Sequence, residues 1–250
     1  MCEPEPRGAI PAQLELALSG LDEPPPGATL KLYNASNFFD RRAVPIEDWQ
    51  AIAKLAEPFD RVTVESHPRM IDDRARDFGD LLRGRLEVAV GLETVHAESL
   101  SRLNKEMTID DFDRAAEQVV DGGFDLRVFV LVGAPWIPQG EMVHSVVRTV
   151  EHAFDRGARV VSLIAVRDGN GTLETLEPSG RFARPSLTMF EQAVERSNKL
   201  GRGVVVADLW DVTRLRGAAC CFSQRVERLR RINLTGVPGR VVVCDSCGRS

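Results

Sequence analysis

Thiols are the most specific chemical feature of the sequence. Of five cysteines, Cys2 stands alone near the start, whereas Cys220, Cys221, Cys244 and Cys247 crowd the C-terminal end. Cys244-Asp245-Ser246-Cys247 is a Cys-x2-Cys knuckle, and two knuckles joined by a spacer hold a tetrahedral Zn2+ through four thiolates. Here the other pair is adjacent, with Ala218 standing where a Cys-x2-Cys partner of Cys221 would fall. Two readings stay open: a zinc site held by Cys220, Cys221, Cys244 and Cys247, or free thiols. The odd count, together with acids and prolines rather than an apolar leader over residues 1–27, argues against a secreted disulfide framework and predicts reduced thiols in the cytoplasm.

A second group of reactive side chains recurs where short β-branched runs end. Asn34, Ser36 and Asn37 follow the run from Thr29, Glu65-Ser66-His67-Pro68 closes the next, and Glu93 follows Leu86–Leu92. Amides and hydroxyls both donate and accept, and a carboxylate binds an amine or a ribose diol. Gly133-Ala134-Pro135-Trp136 adds close backbone approach and an aromatic face, and Arg167-Asp168-Gly169-Asn170-Gly171-Thr172 a polar loop flanked by glycine. Each has a plain structural reading as a turn or a core residue. Five polar run-ends in succession point to a ligand.

These groups need a frame that gathers them. The apolar runs Thr29–Asn34, Arg61–Ser66, Leu86–Gly91, Leu126–Gly133, Arg159–Arg167 and Gly203–Leu209 alternate with helix-period segments, the pattern of βα units with a parallel sheet. Helices are expected over Ile10–Leu21, from Pro45 to Pro58, over Arg74–Arg83, from Thr108 to Gly122, over Glu141–Arg156 and over Leu187–Leu200. Six such units fit a partial (β/α) barrel or a doubly wound sheet, and in both the ligand lies beyond the carboxyl ends of the strands. Residues 1–210 are expected to form the barrel, and 211–250 a small appendage of an Arg-rich helix and the cysteine tail.

The runs Gly8-Ala9-Ile10-Pro11-Ala12-Gln13, Lys31-Leu32-Tyr33-Asn34-Ala35-Ser36-Asn37-Phe38, Leu86-Glu87-Val88-Ala89-Val90-Gly91-Leu92-Glu93-Thr94 and Leu103-Asn104-Lys105-Glu106-Met107-Thr108 resemble the radical S-adenosylmethionine (radical SAM) enzymes, nearest the archaeosine-synthase-like branch and its bacterial relatives. The resemblance implies a partial (β/α)6 barrel with parallel strands. It implies that S-adenosylmethionine is bound by Asn34, Ser36, Asn37, Glu65 and Glu93, with Arg102 or Lys105 pairing its carboxylate. It also implies a [4Fe–4S] cluster, an electron-donor protein, and a small-molecule or tRNA substrate. The cluster needs a Cys-x3-Cys-x2-Cys motif, because soft thiolates suit its irons. Cys2 alone matches that motif, as its last member. The expectation is either a chain whose start lies upstream or a cluster-less relative that binds a nucleotide-like ligand or RNA.

Composition limits the alternatives. With 250 residues, 43% of them hydrophobic, the chain builds a real core, and a net charge of −5 announces no polyanion-binding protein. No apolar run reaches the ~20 residues of a membrane helix. Arg225, Arg228, Arg230 and Arg231 are the one basic cluster suited to RNA phosphates, or else a solvated helix face.

Overall fold

In a computed structural model the described residues are 6–33, 37–167, 169, 171–215, 220–246 and 248–249. Six strands, β1 (Thr29–Leu32), β2 (Arg61–Ser66), β3 (Arg85–Glu93), β4 (Asp125–Val132), β5 (Ala158–Ala165) and β6 (Val204–Ala207), follow one another in chain order across one sheet. The β1–β2, β2–β3 and β5–β6 pairs are parallel. A doubly wound sheet reverses its strand order at a switch point, and this order never reverses. The fold is therefore the partial (β/α)6 barrel.

The helices are α1 (Ala9–Leu18), α2 (Trp49–Leu55), α3 (Asp73–Gly79), α4 (Ala97–Arg102), α5 (Ile109–Asp121), α6 (Met142–Asp155), α7 (Leu187–Asn198) and α8 (Phe222–Thr235). Among the described residues no helix is long and apolar enough to cross a membrane. The chain divides into two compact units, Met1–Gly91 with Asp110–Arg127, and Leu92–Ile109 with Val128–Ser250. Strands β3 and β4 thus begin in the first unit and end in the second.

In the first unit Phe38, Phe39, Trp49 and Phe78 form a buried aromatic cluster, with the Phe38 and Phe78 rings 4.5 Å apart. The polar segment expected after β1 therefore turns inward at Phe38. Helix α1 departs from expectation differently: its apolar spacing suggested a core face, yet it buries no residue and Leu16 is 78% exposed.

Ionic groups stand at the amino ends of β2, β3 and β4. Arg61 and Arg85 (3.0 Å) both reach Asp125, and Glu87, 1% exposed, accepts from Thr63 (2.9 Å) and from Arg127 (2.7 Å). The amino-terminal face of a (β/α) barrel is the face of stability rather than of chemistry. Charges buried there are paired, as burial demands, though Glu87 Oε1 has only the Arg61 guanidinium at 3.6 Å and no hydrogen bond.

In the second unit β5 and β6 lie beneath α6, α7 and α8, whose buried residues include Val146, Val150, Phe190, Val194, Leu229 and Ile232. Helix α8 also closes the outer edge of β6: the Asn233 amide donates to the Ala207 carbonyl and accepts its N–H, both at 2.8 Å. After α8 a two-residue hairpin forms from β7 (Val243–Cys244) and β8 (Gly248–Arg249), antiparallel with Cys244 opposite Gly248.

Candidate functional site

The second unit collects chemistry at the carboxyl ends of β3 and β4. Strand β3 closes on Glu93, 6% exposed, with φ +65°. A carboxylate on a left-handed backbone is uncommon, because the Cβ crowds the following carbonyl. The segment after it is tied down: Val95 N–H donates to the Thr149 hydroxyl of α6 (3.1 Å), which donates in turn to the Ser145 carbonyl. The His96 ring then caps α4 by accepting from Ser99 N–H at 3.2 Å.

Lys105 returns to this point from beyond α4 and pairs with the Glu93 carboxylate at 2.8 Å, its own side chain half-exposed. Its neighbours Asn104 and Glu106 also have positive φ, as does Trp136 after β4. These, with Glu93, are all the positive-φ non-glycine residues among the described ones. Such conformations cost energy and gather where the surrounding structure has a use for them. The Arg102 guanidinium lies over the Trp136 ring, 5.5 Å from its centroid, a cation–π arrangement. Trp136 is anchored through its backbone N–H to the Arg181 carbonyl (2.6 Å), while its indole Nε1–H is buried without a partner.

A cleft opens beyond β5 and β6, lined by Val166, Arg167, Arg184, Asp208, Asp211 and Arg214 among others. Arg167 pairs with Asp211 at 3.1 Å and Arg184 with Glu177 at 2.7 Å. Asp168 and Asn170 of the polar loop lie outside the described residues.

Glu93, Arg102 and Lys105 are therefore brought together. Asn37 and Glu65 meet separately in the first unit, where Phe38 N–H donates to the Glu65 carbonyl (2.8 Å) and the Asn37 side chain accepts from His67 N–H. His67 itself caps a short turn by accepting from Arg69 N–H. Asn34, Ser36, Cys2 and Cys247 lie outside the described residues. Cys220, Cys221 and Cys244 converge, their sulfurs all within 4.8 Å of one another.

The basic cluster needs correction. Arg225 is 1% and Arg228 7% exposed, so neither faces a polyanion. Arg225 donates from Nε to Glu191 (2.8 Å) and from its terminal nitrogen to Thr188 (2.8 Å). Burial works against its charge, but the hydrogen bond and charge of Glu191 prevail and hold it above the usual arginine value. Arg228 binds Glu195 (2.6 Å) and the carbonyls of Gly239 and Arg240. Only Arg230 and Arg231 of the four remain exposed. Trp136 is the aromatic face expected after β4, whereas the part of Asn104 and Glu106 is a matter of backbone conformation, which composition does not carry.

Two solved structures share this arrangement of strands and helices. The archaeal Elp3 of Methanocaldococcus infernus, lacking residues 1–46, superposes with a TM-score of 0.59 at 14% identity over 90% of this chain and 58% of that one. SuiB of Streptococcus suis, bound to S-adenosylmethionine, gives a TM-score of 0.51 at 9% identity over 77% of this chain and 40% of that one. The chain shares the partial-barrel fold of these two proteins. Among curated proteins it is 25% identical over 246 residues to the archaeosine synthase subunit beta of Methanosarcina acetivorans, covering 94% of this chain and 70% of that protein. It is 24% identical over 221 residues to an uncharacterised protein of Methanocaldococcus jannaschii, covering 83% of this chain but only 60% of that relative's length. No family model matches.

The two groups that the resemblance implies fare differently against these residues. S-adenosylmethionine carries an ammonium, a carboxylate, a ribose diol and an aromatic base. Glu93, the Lys105 ammonium and the unpartnered Trp136 indole N–H offer complementary chemistry. The described residues do not supply the cluster's ligands where the resemblance places them, before Gly8: the three described cysteines all lie beyond β6.

Proposed function

We propose that the chain binds S-adenosylmethionine across the ends of β3 and β4, as a radical SAM-type protein of the reducing cytoplasm. The observation carrying this reading is the Glu93–Lys105 pair, set on backbone that departs from the ordinary at Glu93, Asn104, Glu106 and Trp136. Lys105 would meet the methionine carboxylate, Glu93 the amine or ribose hydroxyls, and Trp136 would give its indole N–H to a ligand acceptor. Arg102, half-exposed and seated over the indole, keeps the ring in place. With a cluster, S-adenosylmethionine would supply radical chemistry; the protein's own part is binding, orientation and exclusion of water.

The cluster's thiolates would come from chain preceding Gly8, Cys2 being the last of three. In-frame codons upstream of Met1 are then expected to encode a strand and two further cysteines, and a stop codon immediately before Met1 overturns that extension. A nucleoside in tRNA is the substrate class supported by the archaeosine synthase subunit relative. A cluster-less binding protein would use the same groups without cleavage.

Equilibrium dialysis with radiolabelled S-adenosylmethionine tests the site without a cluster. Saturable binding is expected, weakened at least tenfold in Lys105→Met and in Glu93→Ala, in line with the loss of a charge-assisted contact worth ~1.5–3 kcal/mol. Absence of saturable binding, or equal binding by both variants and the parent, overturns it.

A further inference from the structure

We infer that Cys220, Cys221 and Cys244, completed by Cys247, hold a single structural Zn2+ that ties the start of α8 to the C-terminal hairpin. This site is separate from the proposed S-adenosylmethionine site and stands whether or not that reading holds.

The geometry is that of one ion. The Sγ atoms of Cys220 and Cys244 are 3.5 Å apart, and all three described sulfurs lie within 4.8 Å of one another. Thiolates at ~2.3 Å from a tetrahedral zinc stand ~3.8 Å from each other, whereas a disulfide would need ~2.05 Å. The three cysteines are not disulfide-bonded. In a [4Fe–4S] cubane each thiolate ends on a different iron, which spreads the sulfurs farther than these lie. The adjacency of Cys220 and Cys221, which on spacing alone looked strained for a shared ion, brings both sulfurs to the same point.

Cys221 is 2% exposed and occupies the N-cap position of α8, its sulfur grouped with those of Cys220 and Cys244. Cys244 comes from β7, which pairs with β8 so that Cys244 faces Gly248, and the sequence places Cys247 just before that glycine. A hairpin carrying Cys-x2-Cys is one half of a zinc knuckle. With Cys247, which the sequence offers as the fourth thiol, no position would be left for water or substrate, the mark of a structural ion. A tetrahedral sulfur site suits zinc, and the ordinary affinity order of divalent metals places Zn2+ above Fe2+.

Its work is visible in what lies between the ligands. From Cys221 the chain runs through α8, turns at Gly236 (φ +68°) and returns past Gly239 and Arg240, whose carbonyls are held by Arg228. The ion would close this loop at its open end, fixing the helix whose Asn233 seals β6.

The full chain, purified without chelator, is expected to contain one zinc per molecule by elemental analysis. Cys244→Ser should lower that occupancy severalfold. The more conservative Cys220→Ser, at an exposed position, should stay folded by circular dichroism and bind metal at least tenfold more weakly. The stripped protein titrated with Co2+ should develop the visible absorption of tetrahedral cobalt–thiolate at one equivalent. Stoichiometric iron and sulfide instead of zinc, or disulfides joining these cysteines in freshly purified protein, overturn the inference. So do absence of metal with all tail thiols reacting freely with a thiol reagent, and unchanged occupancy in both variants.

Discussion

Exchanging Glu93 for glycine and for alanine separates the backbone from the carboxylate at the end of β3. Both variants delete the 2.8 Å pair with Lys105, so that loss cancels in their comparison. What differs is one Cβ at φ +65°. The left-handed conformation costs a non-glycine residue about 1–2 kcal/mol. Glycine's extra freedom in the unfolded chain returns roughly 0.5–1 kcal/mol of that to alanine. The balance favours glycine by about 1 kcal/mol, which for a chain of this size is a melting difference of about 2–4 °C. Thermal unfolding of the two variants in one buffer, followed by circular dichroism, reads it directly. Dialysis against S-adenosylmethionine on the same samples should show both binding at least tenfold more weakly than the parent. A glycine variant that melts at or below the alanine variant refutes the idea that stability is given up at Glu93 to aim its carboxylate.

Removing Arg225 as Arg225→Met leaves the Glu191 carboxylate, 7% exposed, without its hydrogen-bonded partner and with the Arg228 guanidinium 3.8 Å away, and should cost up to about 3–5 kcal/mol in urea unfolding, while Arg225→Met with Glu191→Met should recover part of it; equal costs for the single and double variants would contradict the pairing. Hydrogen bonds from Arg74 hold the Asp72 carboxyl below its ordinary value, so its stabilisation is present above the unfolded-state value and is lost as pH falls through the lowered folded one. The stability gap between the parent and Asp72→Asn should therefore be under about 1 kcal/mol at neutral pH, since the group is half-exposed, and should shrink below about pH 4. A gap that widens in acid is the contrary result. Gly84→Ala places a Cβ 2.5 Å from the Phe59 carbonyl oxygen, backbone that cannot swing aside, and should cost about 1–3 kcal/mol by denaturant midpoint.

The strands were legible because runs such as Val128-Phe129-Val130-Leu131-Val132 have one stable home, a parallel sheet that buries Val128, Val130 and Val132 and partly covers Phe129 and Leu131. Strand β2 matched its expected bounds, and β3 runs on to Glu93 because the left-handed residue itself ends it. Helix α4 escapes the periodicity and is implied only by the resemblance, since it is six residues long and capped by an imidazole rather than a hydroxyl or carboxylate. The charges of the amino-terminal face were invisible for another reason: Arg61 and Asp125 are 64 positions apart, and only the folded sheet makes them neighbours. The error at α8 was avoidable. Arg225 shares a helical row with Leu229 and Ile232, so the phase of the apolar residues already turned it inward. Glu93 and Lys105 were found as residue types, whereas their pairing depends on the turn through Asn104, whose conformation no spacing rule supplies.

The two hydrogen bonds between Asn233 and Ala207 give the last strand an unusual neighbour. A carboxamide is a peptide unit in miniature, with a donor and an acceptor set side by side. On β6 it stands in for one residue of a seventh strand, and the strand's exposed register is read as already taken. Exposed strand edges invite other chains to add to them. A single side chain here serves as a decoy for that recruitment, and Asn233→Asp, isosteric but stripped of the donor, would reopen the edge to self-association while leaving the helix beneath it intact.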